Sequence, residues 1–91
     1  MFTPTQALET LAQPGADRGA VCGLIEAELI ALTMCSPKAA AMAAGHFTLF
    51  PNEPDHGLST SAFDGDAGWN CIHASRALRV WKSAAAQKAA A

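Results

Sequence analysis

Cys71-Ile72-His73 is the tightest grouping of metal-ligating side chains in this 91-residue chain. Thiolate and imidazole suit zinc, which takes four such ligands in a tetrahedron. On a helix, residues two apart point about 200° from each other, so this pair does not share an ion. Cys22, Cys35, His46 and His56 would join a site only if the fold gathered them. No Cys-x-x-Cys or His-x-x-x-His spacing is present. The three cysteines therefore read as small buried hydrophobes, and His73 as a core histidine. No metal and no cofactor is expected.

Asp64-Gly65-Asp66-Ala67-Gly68 starts like a calcium loop but does not continue as one. Gly68 falls where a ligand is needed, and Ser75 where the bidentate glutamate belongs. A turn followed by a helix cap explains the segment better. Serine, histidine and aspartate collect in residues 46–66, without a nucleophile elbow, a phosphate loop or paired carboxylates. A chain this short has a thin core and little room for a ligand pocket. No catalytic residue is assigned, and an enzyme is not expected.

Charge is split along the chain. Two cations against eight anions give residues 1–70 a net −6, while four cations and no acid give residues 71–91 a net +4. Arg76, Arg79 and Lys82 form a basic stripe on the last helical segment. Such a stripe can meet phosphates, so nucleic-acid binding is the alternative function class. A net charge of −2 opposes non-specific binding of that kind. A helix-turn-helix reading around Ser36 is poor, because the second helix offers only Lys38 in an alanine run.

The elements that must position these residues are helical. Asp17 to Cys35 is the longest run with a helical period, placing Val21, Leu24, Ile25, Leu32 and Cys35 on one face, with Leu29 at its edge. Asp17 caps it, and Ser36-Pro37 both stops it and starts the next helix. Thr3-Pro4-Thr5-Gln6 is a capping box opening a first helix, which Pro14-Gly15 closes. The third helix, from Lys38, is nearly all alanine, which permits close helix packing, and Gly45 is expected to end it. Residues 46–50 read as one more helical turn or as a short strand; the strand would pair with 58–63 in a short β-hairpin, and otherwise residues 46–63 form a long ordered loop. Asp66 is expected to cap the last helix, which runs into an Ala-rich tail over 82–91.

The expected fold is thus an all-α, single-domain bundle of about four helices. Its predicted core is Leu8, Leu11, Val21, Leu24, Ile25, Leu32, Met42, Trp69 and Val80. Glu28 falls among the apolar residues of the second helix, so the last helix is expected to bring Arg76 or Arg79 to it.

Of the 91 residues, 21 are alanine, and only 17 are Leu, Ile, Val or Phe. A chain so poor in large apolar residues gains from a partner. Met1-Phe2-Thr3-Pro4 does not read as a signal peptide and no stretch approaches roughly 20 apolar residues, so a membrane is not expected. Three free cysteines fit a reducing cytoplasm. The composition has the look of a bacterial or phage accessory protein. The sequence points to a small protein-binding regulator, adaptor or inhibitor acting on a larger partner. Its expected contact residues are Ile30, Met34, Arg76, Arg79 and Lys82. Ile30 and Met34 lie off the main apolar face, which favours a homodimer as well.

Overall fold

The computed structural model describes residues 1–51 and the backbone of 66–90, with side chains described over 70–84 in the last segment. The chain forms the all-α arrangement expected of it. Among the described residues there are four helices, α1 (Pro4–Leu11), α2 (Arg18–Thr33), α3 (Pro37–Leu49) and α4 (Asp66–Ala90).

Local chemistry sets the helix starts. Thr3 accepts from the Gln6 N–H while the Gln6 side chain accepts from the Thr3 N–H, completing the capping box. The Asp17 carboxylate accepts from Ala20 N–H at 3.1 Å, and the Ser36 hydroxyl from Ala39 N–H at 3.1 Å. Each bond satisfies an amide that the first turn leaves without an intrahelical partner. α1 stops at Leu11, before the Pro14-Gly15 pair, and Gly15 takes a φ of 72° in the turn. α4 is described from Asp66 onward, and the side chain of Asp66, the expected cap, lies outside the described residues.

α3 does not stop at Gly45. It runs on to Leu49, burying Phe47 and Thr48. The stop comes from Pro51, which forces Phe50 out of the helical region to φ −133°, ψ 64°. Residues 46–49 are therefore a helical turn, which removes the first strand of the hairpin considered above. The second, at 58–63, lies outside the described residues.

The alanine face of α3 holds the core together. Ala39, Ala40, Ala43 and Ala44 are all fully buried, and α3 packs against both α2 and α4. Small side chains let helix backbones approach closely, so the close contact expected of this helix is made inside the chain. Around it lie Val21, Ile25 and Leu29 of α2 and Ala74, Ala77, Leu78 and Trp81 of α4.

The helix phases differ from those expected. Val21 and Ile25 are buried, and Leu11 and Met42 pack half-buried against the core. Leu8, Leu24, Leu32 and Val80 are exposed instead, Leu24 by 52%. The Trp69 side chain lies outside the described residues. In α2 the buried line is Val21, Ile25 and Leu29, one residue every turn. α2 carries large apolar residues nearly all round, so its periodicity fixes the phase weakly, and contact with α3 decides it. α4 is rotated likewise. It buries Cys71, Ala74, Ala77, Leu78 and Trp81, and leaves His73 exposed rather than in the core.

The N-terminus closes the bundle. Trp81 Nε1–H donates to the Phe2 carbonyl at 2.8 Å, and the Phe2 N–H donates to Glu28 Oε2 at 3.3 Å. This corrects the expected pairing of Glu28 with Arg76 or Arg79. Glu28 finds a backbone donor, Arg79 Nε–H donates to the Ser75 carbonyl at 3.5 Å, and neither arginine meets a carboxylate among the described residues. A half-buried carboxylate needs a donor, and the nearest chain segment supplies one without a second charge.

Candidate functional site

α2 ends in an unusual way. Its cap is Met34, held in the left-handed region at φ 56°, ψ 27°. Helices usually place glycine there, because a Cβ is strained in this conformation. Three bonds hold the turn. Met34 N–H donates to the Ile30 carbonyl at 2.9 Å, Cys35 N–H to Thr33 Oγ1 at 3.3 Å, and Thr33 Oγ1–H to the Leu29 carbonyl at 2.8 Å. The result is a methionine side chain 88% exposed at the corner between α2 and α3.

Beside this corner is a half-open groove of about 750 Å³. Leu32, Thr33, Met34, Cys35, Ser36 and Lys38 form one wall, and Asn70, His73, Arg76, Ala77 and Val80 of α4 form the other. The walls are tied where Ser36 Oγ–H donates to Asn70 Oδ1 at 3.4 Å. Two cations, Lys38 and Arg76, line the groove together with His73, and among the described residues no carboxylate does. Leu32 and Val80, which the sequence assigned to the core, supply its apolar surface.

Of the expected contact residues, Met34 and Arg76 meet in this groove. Ile30, 37% exposed, sits one turn before Met34 on α2 and does not line it. Arg79 is exposed but outside the lining. Lys82 turns away, its ammonium 5.8 Å from the centre of the Phe47 ring. The basic stripe is therefore divided among three settings. No protein family, curated protein or solved structure matches this chain.

The site must be read from its own chemistry. Sequence reasoning missed Lys38 and the α4 wall, Asn70, His73 and Ala77. The available signal was Ser36-Pro37-Lys38, which places a cation in the first turn of α3.

Among the described residues, no three or more His, Cys, Asp or Glu side chains are placed to hold a metal ion. No described helix is long and apolar enough to cross a membrane. Among the described residues, His46 Nε2 is buried without a hydrogen-bond partner, its ring 5.5 Å from that of Phe50. That end of α3 is not part of the groove.

The three free cysteines differ in setting. Burial pushes the Cys22 thiol up, and the Glu26 charge and a 3.7 Å bond to its carboxylate add to the shift. Cys71 is buried against Met42, its Sγ 3.3 Å from the Met42 Sδ. Cys35 is half-buried on the groove wall. The thiolate is the reactive form, so Cys22 stays a thiol at pH 8 and reacts slowly. With limiting iodoacetamide at that pH, Cys35 should be alkylated first, as peptide mass spectrometry would show. Faster labelling of Cys71 would mean that the α3–α4 contact opens readily.

Met34 gives a second expectation. Replacing it by glycine relieves left-handed strain of about 1–2 kcal/mol, while the added chain freedom returns about 0.5–1 kcal/mol. The net gain is about 0–1.5 kcal/mol, raising Tm by up to about 12 °C in a chain of this size. A thermal melt of Met34→Gly followed by circular dichroism checks it, and a fall in Tm would show that the methionine side chain stabilises the corner.

Proposed function

We propose that this chain is a small, non-enzymatic protein-binding regulator, adaptor or inhibitor that engages a larger partner through the groove between α2 and α4. The observation that carries the reading is Met34. A methionine 88% exposed, on strained backbone, at the rim of a half-open groove costs the fold stability. Strain of this kind collects at sites of function. Methionine is also unbranched and polarisable, which suits it to contact with a partner surface.

In this reading the partner covers Met34, Leu32 and Val80 and meets Arg76, while Ile30 and Arg79 lie at the edge of the contact. The protein acts in the cytoplasm. Ile30, exposed beside the groove, also serves contact with a second copy of the chain, and light scattering at high concentration that gives 9.4 kDa would exclude the homodimer.

The test is affinity capture from the native host with two baits, wild type and Met34→Glu. A protein recovered on the first bait and lost on the second is the expected result. Equal recovery on both would defeat the reading, provided circular dichroism shows the variant folded.

A further inference from the structure

We infer that the occupant of the groove is an acidic amphipathic helix of the partner protein, with a carboxylate side chain set between Lys38 and Arg76. The inference rests on the protein-binding reading above and names the chemistry of its partner.

Charge is the first argument. This chain has a net charge of −2, yet among the described residues the groove is lined by Lys38 and Arg76 and by no carboxylate. Neither cation is ion-paired among the described residues, although Glu26 and Glu28 lie on α2 itself. Their carboxylates are taken up by the Cys22 thiol and the Phe2 N–H. The groove also contains the start of α3. There Pro37 has no N–H, Ala39 N–H is bonded to Ser36 Oγ, and Ala40 N–H to the Ser36 carbonyl. The helix start adds partial positive charge to the two side chains. Positive charge placed in a groove of an acidic protein selects by position, since the protein's net field does not attract acids in general.

Shape and apolar surface are the second argument. One wall is the end of α2 with the corner into α3 and the other is α4, and the lining sets Leu32, Val80 and Met34 among the small residues Thr33, Ser36 and Ala77. Large apolar residues among small ones suit a helix laid along α4, with apolar side chains at i and i+3 or i+4 pointing in. Nucleic acid fits less well. A phosphate backbone needs several cations along one track. Here Lys82 sits over Phe47, and Arg79 donates to its own helix.

The experiment is a selection from a random helical peptide library displayed on phage, with the purified full chain as target. The prediction is enrichment of peptides carrying Asp or Glu beside Leu, Ile or Phe at helical spacing. A synthetic copy of an enriched peptide should bind in fluorescence anisotropy and slow the alkylation of Cys35. Its affinity should fall at least tenfold with Arg76→Glu, and again with Lys38→Glu. Both positions are exposed, and circular dichroism confirms that the variants fold. Selection on the double variant should turn toward basic peptides.

Enrichment of neutral or basic peptides on the wild-type chain overturns the inference. If those peptides still require Met34, the protein-binding reading survives without it. Affinity unchanged by both charge reversals also overturns it. So does tighter, Arg76-dependent binding of a 20-nucleotide single strand in the same assay. Failure to enrich any peptide counts against a peptide helix as occupant.

Discussion

Trp81→Ala should lower the stability of this protein by about 3–5 kcal/mol. Trp81 is the largest fully buried side chain among the described residues, at 0% exposure. Its ring meets Phe47 edge-on, with centroids 5.2 Å apart and planes at 66°, a favoured aromatic geometry. Its Nε1–H holds the Phe2 carbonyl, and Phe2 in turn holds Glu28 through its N–H. Truncation therefore removes the packing between α3 and α4 and releases the N-terminal strap over α2. A domain of this size has about 5–14 kcal/mol in total. The melting temperature should fall by about 15–30 °C.

Trp81→Phe separates the two contributions. It keeps most of the aromatic packing and loses the bond to Phe2, which should cost about 1–2 kcal/mol. If both variants melt within about 5 °C of wild type, Trp81 does not hold the bundle together. Phe47→Ala should not add fully to Trp81→Ala, because each removes the same ring contact.

Ala43→Leu should destabilise by about 1–3 kcal/mol through overpacking. Ala43 is fully buried on the face where α3 meets its neighbours, and Ala39, Ala40 and Ala44 share that setting. A close helix contact leaves no room for three more heavy atoms, so the helices must part or the leucine must leave its preferred rotamer. Ala41→Leu is the control. Ala41 is exposed on the same helix, so its change should be within about 0.5 kcal/mol. Urea titration of the two variants measures the difference. Equal midpoints would mean that the alanine contact is loose, and would reopen that face to a second copy.

These two sites show which parts of the fold were legible in the chain and which were not. The caps were written locally. Thr3 with Gln6, Asp17, and Ser36-Pro37 each place a donor, an acceptor or a fixed φ within three residues of the bond they make. Short-range chemistry of that kind acts before any tertiary contact exists, so the four helices and most of their starts follow from the sequence. Gly45 misled because glycine weakens a helix without stopping it, whereas Pro51 does stop it.

Tertiary structure decided the phases. α2 has apolar residues around most of its circumference, so Leu24 or Leu29 could each have faced inward. Packing on the alanine face of α3 chose Leu29. Turning α2 and α4 this way brought Leu32, Val80 and Arg76 to one groove. Glu28 likewise has no partner encoded nearby. Its donor is the N–H of Phe2, 26 residues away, reached only because Trp81 holds the same residue by its carbonyl. Met34 belongs to both levels. The sequence alone put it off the apolar face, and bonds local to the end of α2 hold its left-handed backbone, while its place at the groove rim required α4 to pack beside that corner. The determining difference is range. Caps and breakers act over three or four residues, whereas a helix face and a groove exist only once other helices have been packed against them.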